Sequence, residues 1–525
     1  MVRVSPFVSQ LLAVVAAPVA VAAQDPADAS ITSPVASSLV GSETIACRLL
    51  SFRYPKQTFF NGSDGYTYET QTQYWSARAY DTPACVFVPQ NAQQVSFAVS
   101  TLTLSLTKFA VRSGGHMPVV GYNSIGSSGV LLSTSNLTTL ALSEDKSTVS
   151  VGAGLRWRDV YSYLSPSGLA AVGGRIGGVG VSGLLLGGGI SFHSNQYGFA
   201  ADNVVCYQAV LSSGIVVEAT ATNAYSDLFW ALKGGGNSFA IVTRFDLKTV
   251  KSPKVWVGIS QYAQNYSAAY LDAVYNFGKY GSADSKAAII PTILTYPSYN
   301  ITAYAAARFY DSETDSATAF ENFTSPVLTP VADSYAAQPL AEYISAVDAL
   351  QPTGLRQERV TFPHTFRVMS LVVDREAVDY VHNAFLAATS SKLTGIVGLS
   401  ASITFQPVTK EFIQQGIAKG GNPQGVDPAK APYFWIVENL TWQEAKDDET
   451  AQAFADTVTA DIEAGLEAKG VAGGYLYLND AGKGQKIFQN YPAANLAKLK
   501  AIRTKYDPLR IYTNLLTGGW KVLDA

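Results

Sequence analysis

The sequence predicts an α+β protein in two domains, and three observations carry that expectation. The chain has 525 residues, more than a single hydrophobic core usually supports. Over residues 45–250, short strand-like runs are punctuated by glycine, and the character changes at Ser252 and Pro253. Beyond that break, runs rich in β-branched and aromatic residues alternate with segments of helical spacing. The expected division is a first domain over residues 24–250, a second over 251–474 built on an antiparallel sheet backed by helices, and a return to the first domain over 475–525.

Each element follows in order. The opening "MVRVSPFVSQLLAVVAAPVAVAAQDP" has one basic residue, an apolar run and small residues before Gln24. That is the layout of a secretory signal over residues 1–23, with cleavage after Ala23. Its apolar run is too short to span a bilayer and is interrupted by Pro18. In the first domain, "VVCYQAVLSSGIVVEATA" is two apolar runs joined by Ser-Ser-Gly, a hairpin signal, and "FAIVTRFDLKTV" alternates like a half-buried strand. In the second, "VWVGISQY", "AAIIPTILTY", "YAAARFY", "FRVMSLVVD", "LSASITFQPV" and "PYFWIVENLTW" read as strands. Residues 374–389 and 447–469 read as helices, the latter with Ala451, Phe454, Ala455, Val458, Ile462 and Leu466 in one buried stripe. The chain closes with an expected strand, "GGYLYLND", and a helix, "AANLAKLKAIRTKY".

Composition narrows the function. Net charge is −3 and no Lys/Arg block occurs, so neither nucleic acid nor an anionic membrane is an expected partner. The expectation is a secreted monomer. Six glycosylation sequons, at Asn61, Asn136, Asn265, Asn300, Asn322 and Asn439, agree with secretion. Of three cysteines, Cys47 and Cys85 lie in polar, irregular-looking sequence and are expected to pair, although an odd count leaves other pairings open. Cys206, in an apolar run, reads as a buried thiol. His193, His364 and His382 lack ligand spacing, so no metal is expected. No G-x-S-x-G elbow points to a serine hydrolase.

Three glycine-rich segments carry the chemistry. In "VRSGGHMPVVGYNS", His116 follows two glycines and Arg112. Glycines offer no side chains for packing a core, so their use here is conformational, and an arginine beside them suits an anion. In "GGRIGGVGVSGLLLGGGISFHSNQYG", Gly178, Gly180 and Gly183 form a G-x-G-x-x-G, but no clear strand leads into it, so a nicotinamide site is not the better reading. A glycine loop and helix start lined with backbone N–H groups is. "KGGGNSFAIVT" repeats the pattern. Together they suggest a long phosphate-containing cofactor spread across the first domain.

The order of these segments, with "YWSARAYDTPACVFVPQNAQQVSFAV", "VGAGLRWRDVYSYL" and "KYDPLR", resembles the berberine-bridge-enzyme-like FAD-linked oxidoreductases, which have the PCMH-type FAD-binding fold of the vanillyl-alcohol-oxidase superfamily. The likeness is to a secreted fungal branch with nicotine-oxidase-like and solanapyrone-synthase-like members. The resemblance implies FAD, bonded through His116 to the flavin 8α-carbon. The other cofactor-binding positions it implies are Arg112, Ser113, Gly114, Gly115, Met117, Gly174, Gly178, Val179, Ser182, Gly183, Val242 and Asn479. Where many relatives attach the flavin a second time through a cysteine, this chain has Ile176, so the resemblance implies a single, histidyl link. In the family a valine at the position of Val179 tends to accompany oxidases.

On the substrate side the resemblance implies that Tyr477, in a Y-x-N pattern with Asn479, faces the flavin. A tyrosine needs a cationic neighbour to act as a base, and the sequence identifies none. Glu438 is a second candidate base. If the Asn439 sequon marks the solvent face, strand parity turns Glu438 inward. The expected reaction is hydride transfer from a C–H next to O or N of a small organic substrate, a secondary metabolite or an alcohol, with O₂ reduced to H₂O₂. The alternatives are an FAD-containing cyclase of secondary metabolism and a redox-silent secreted binding protein.

Overall fold

A computed structural model of the chain describes residues 41–280, 283–316, 318–349 and 364–525. The expected signal segment, residues 1–23, lies outside them. The chain enters through α1 (Ser42–Arg53), then forms a four-stranded sheet in the order β1 (Thr58–Phe59), β2 (Cys85–Phe87), β4 (Gly129–Ser133), β3 (Lys108–Arg112). Strands β2, β4 and β3 run parallel. All five residues of β4 are buried, as expected of a parallel strand covered on both faces. Cys47 and Cys85 are joined by a disulfide. They lie on α1 and β2, so the irregular structure expected around them is corrected. Helix α2 (Ala92–Leu104) starts at Asn91, whose side chain accepts from the Gln94 N–H.

The second sheet is antiparallel, in the order β5 (Leu140–Leu142), β6 (Thr148–Gly152), β10 (Ile241–Lys251), β8 (Val204–Val210), β9 (Val216–Ala219), with β7 (Leu169–Ala171) also on β10. Strands β8 and β9 are the hairpin read from the sequence. Between the strands lie α3 (Trp157–Leu164) and α4 (Val181–Leu186). Cys206 is buried and unpaired.

A third, eight-stranded antiparallel sheet takes the order β14 (Ala332–Asp333), β11 (Val255–Tyr262), β13 (Ile301–Tyr310), β12 (Ala287–Tyr296), β17 (Ser400–Val408), β18 (Tyr433–Thr441), β16 (His364–Val372), with β15 (Ala336–Gln338) on β11. Its two faces do different work. Met369, Leu371, Ala401, Ile403, Phe405, Ile436 and Leu440 form a core with α5 (Ser267–Tyr280), α7 (Arg375–Lys392) and α8 (Asp448–Ala468). Side chains alternate along a strand, so Val368, Val408 and Trp435 project from the other face into the core of the first two sheets. Asp374 caps α7, and both long helices fall where their periodicity places them.

The expected strand over residues 473–480 is not formed. Only Ala472 makes a bridge, to Leu371, and Leu478–Asp480 is a 3₁₀ turn. The alternating tyrosines imitate a strand, but no neighbouring strand takes up their backbone groups. Helix α9 (Ala493–Tyr506) follows as expected, after α6 (Leu340–Asp348) earlier in the chain. Among the described residues no helix is long and apolar enough to cross a membrane, and no cluster of metal-ligating side chains occurs.

Candidate active site

Strand β3 ends at Arg112 and delivers the Ser113–His116 loop. Arg112 is fully buried and pairs with Glu69, with a further bond of 2.6 Å to Ser133 Oγ. Glu69 also accepts from Ser133 and Ser135, at 2.7 and 2.6 Å. The anion this guanidinium meets is thus internal, the Glu69 carboxylate, and the pair braces the loop. Burial and the nearby Arg156 lower its pKa to about 9. Gly115 has φ +68°, the left-handed region open to glycine. A Cβ on Gly114 would overlap the backbone of Gly180, so the two glycine segments meet backbone to backbone.

Arg156, at the start of α3, joins the pieces. Its Nη2 donates to Gln73 O at 3.0 Å, Gln73 Oε1 at 2.9 Å and Gly114 O at 2.9 Å. The ring of His116 stacks on Trp75 at 4.3 Å, and Trp75 stacks on His364 at 3.8 Å. His116 has its pKa lowered to about 3, first by burial and then by the Arg156 charge. Arg156, Gln73, Gly114, His116 and Trp75, with Tyr74, Arg158, Ile176, Gly178 and Asp348, line one cavity.

The second glycine segment forms the opposite wall. Gly173 and Gly174 leave room for the buried Trp157 ring. Gly178 N–H donates to Asp348 Oδ1 at 2.9 Å, and Val179 O accepts from the Trp157 N–H. A single carbonyl, Ala153 O, accepts Ser113 Oγ at 2.7 Å, Ser182 Oγ at 2.9 Å and Thr134 Oγ1 at 3.1 Å. Ala153 N–H in turn donates to Thr243 O, next to the buried Val242. Met117 O accepts from Asn123 Nδ2 at 3.3 Å. A Cβ on Gly183 would meet nothing within 4 Å.

A second polar group lies around Tyr477. Its buried hydroxyl oxygen accepts from Ile190 N–H at 3.0 Å and Asn479 Nδ2 at 2.9 Å. The same Asn479 amide also donates to Leu184 O at 2.9 Å. Trp435 stacks on the Tyr477 ring at 5.3 Å. Beside them, Arg175 Nη2 bonds Gln406 Oε1, and Gln406 Nε2 donates to Asp480 Oδ2 at 2.6 Å. Burial, then Asp480, raises the Tyr477 pKa, while Asn479 and Arg175 oppose them. Arg175 is thus the cationic neighbour that the sequence left unnamed. It is one residue from Ile176, but nothing local marks it, since its partner Gln406 is 231 positions away.

Glu438 is buried, as parity predicts, yet it belongs to the face of Ile436 and Leu440, which packs on the helices. Its Oε2 accepts from Thr459 Oγ1 of α8 at 3.0 Å. Burial pushes its pKa up to about 8, with Thr459 and Arg367 opposing. Asn439 shares the face of Trp435, turned away from those helices. Its Oδ1 is buried without a partner. The premise that Asn439 marks the solvent face is corrected, and with it the placing of Glu438 against the cleft. Asn61, Asn136, Asn265, Asn300 and Asn322 are exposed.

Residues 83–220 match the family model described as an FAD binding domain. An FAD-dependent monooxygenase of Penicillium roqueforti is 35% identical over 497 residues, covering 91% of this chain and 94% of the relative. The bifunctional solanapyrone synthase of Alternaria solani is 33% identical over 491 residues, covering 92% and 90%. This chain belongs to the berberine-bridge-enzyme-like FAD-linked oxidoreductases. Among solved structures, a glucooligosaccharide oxidase of Acremonium strictum shares the fold, with a TM-score of 0.71 at 18% identity, covering 90% of this chain and 99% of that one. That oxidase has a 6-S-cysteinyl, 8α-N1-histidyl FAD.

The flavoprotein's own residues fit the cofactor. Open space lies over Gly183, and a Cβ on Gly178 would meet only Asp348, at 3.8 Å. Buried polar atoms without partners gather near His116, namely Trp75 Nε1 and His364 Nε2, with Asn439 Oδ1 on the strand beside Phe366, which packs on Trp75. Buried polar groups are normally satisfied, so a polar guest beside the His116 loop accounts for them.

Proposed function

We propose that this flavoprotein is a secreted oxidase of a small organic substrate, with FAD bonded covalently to His116 alone. The observation that carries the reading is that His116 lines the cavity together with Ile176, a side chain that offers no second attachment. The FAD-binding part comprises residues 24–250 and 475–525, and residues 251–474 supply the substrate side. The sequons at Asn61, Asn136, Asn265, Asn300 and Asn322, all exposed, carry glycans.

In the holoenzyme, FAD supplies the hydride acceptor and the means of passing electrons to O₂. The chain supplies the rest. Ser113, Gly114, Gly115 and Met117 hold one side of the cofactor, with Gly174, Gly178, Val179, Ser182 and Gly183 on the other. Tyr477 would take the substrate proton as its phenolate, once its own proton has left to solvent; the two N–H donors to its oxygen and the Arg175 charge favour that form, against burial and Asp480. Trp435 closes the apolar wall beside it. Val179 supports the oxidase reading.

Denaturation in acid tests the link. The yellow colour is expected in the protein pellet, and His116→Ala is expected to release it to the supernatant. Colour in the supernatant from the unaltered protein overturns the covalent reading. Anaerobic mixing with candidate alcohols then separates an oxidase, which bleaches, from a cyclase or a silent binding protein, which stays oxidised with all of them.

A further inference from the structure

We propose that Arg156 is the positioning residue for flavin attachment, pinning both partners of the His116–Trp75 stack and fixing a positive charge beside the imidazole. The inference rests on the covalent reading above. Attachment breaks one N–H bond of the ring and one C–H bond of the flavin 8α-carbon and forms one N–C bond. The two hydrogens, with their electron pair, reduce one O₂ to H₂O₂. The ring nitrogen must keep its lone pair for this, so the imidazole has to be neutral.

The geometry gives Arg156 two means of achieving that. Its bond to Gly114 O holds the loop two residues before His116, and its bonds to Gln73 hold the segment two residues before Trp75. All five residues line one cavity. The other charged or titratable groups around His116 are Arg158 and Asp348, Tyr74, and His364 across Trp75. Arg158 and Asp348 pair with each other at 3.5 Å, so their charges largely cancel. The Arg156 guanidinium bonds only to neutral oxygens, and among the described residues no carboxylate stands within ion-pair distance of it. Its own pKa, lowered to about 10 by burial and Arg158, leaves it charged at neutral pH. Asp159, which accepts from the Arg156 backbone N–H, together with Tyr68 and Asp348 offsets this charge only in part, so Arg156 adds to burial in holding the imidazole neutral.

The test follows covalent incorporation when apoprotein is mixed with FAD, read as protein-bound colour after acid precipitation. The unaltered protein is expected to attach flavin equally fast at about pH 5.5 and about pH 8. In Arg156→Gln the charge beside the imidazole is gone while its burial remains, so the His116 pKa is expected to rise part-way toward its ordinary value near 6.5, and attachment is expected to be about tenfold slower through loss of the ties to Gly114 and Gln73. Arg156→Lys, which keeps the charge and loses the fork, is expected to be slower as well but to leave the His116 pKa low. Imidazole NMR of the apoprotein reads His116 directly in all three proteins. A pKa higher in Arg156→Gln than in the unaltered protein and Arg156→Lys supports the proposal. The same pKa in all three, or attachment in Arg156→Gln as fast as in the unaltered protein, overturns it. FAD retained without any covalent bond at either pH in the unaltered protein removes the attachment reading itself, while the imidazole signal still reports on Arg156.

Discussion

Around His116 the cleft is walled by backbone, with two glycine segments in contact at Gly114 and Gly180 and an arginine bonded to main-chain carbonyls. Around Tyr477 the wall is made of side chains, with Trp435, Arg175, Gln406 and Asp480 contributed from four separate stretches of chain. The first kind of wall demands particular residue types at short spacing, because only glycine tolerates such close approach. The second demands only that distant residues arrive at one place, and many residue types can do that. Motifs therefore concentrate around His116, and residue type is freer around Tyr477.

The largest expected effect attacks the backbone wall. Gly114→Ala places a methyl group on Gly180 and is expected to cost more than about 3 kcal/mol, with little FAD covalently incorporated. Gly183→Ala, whose methyl meets no protein atom, should keep the melting temperature while slowing covalent incorporation of FAD. Equal stability of the two variants would break the comparison.

The next effect concerns the opposite face of the large sheet. The Glu438 carboxyl, with its pKa raised to about 8 from a value near 4.3 in the unfolded chain, stays protonated in the fold. Its contribution is complete below about pH 4 and is lost as pH rises through about 8. Glu438→Gln should therefore be more stable than the parent by about 3 kcal/mol at pH 8, with the gap closing on acidification. Chemical denaturation at several pH values measures this. A flavin spectrum changed by the substitution would return Glu438 to the cleft.

The smallest effect probes the side-chain wall. Arg175→Met leaves Gln406 and Asp480 without their cation and is expected to cost about 2 kcal/mol, with covalent FAD intact. Loss of the cofactor in that variant would show that the two regions are not separate.

The same contrast explains what was legible in the sequence. Strands β11 to β13 and β16 to β18, α7 with its Asp374 cap and the α8 stripe were readable because their periodicity is local. So was His116, through its glycines. The partner of Arg112 was not legible, because Glu69 lies 43 residues upstream and in no motif. Arg156, Arg175 and Gln406 were missed for the same reason. Parity correctly separated Glu438 from Asn439, but which face met the cleft depended on the whole sheet, and the sequon pointed the wrong way.

Ala153 O shows how such a backbone site tolerates change. A carbonyl oxygen has two lone pairs, and here three hydroxyls, from Ser113, Ser182 and Thr134, converge on it. Loss of any one leaves two to saturate the acceptor, so the junction carries a spare. The pair that remains then keeps the glycine loops in register.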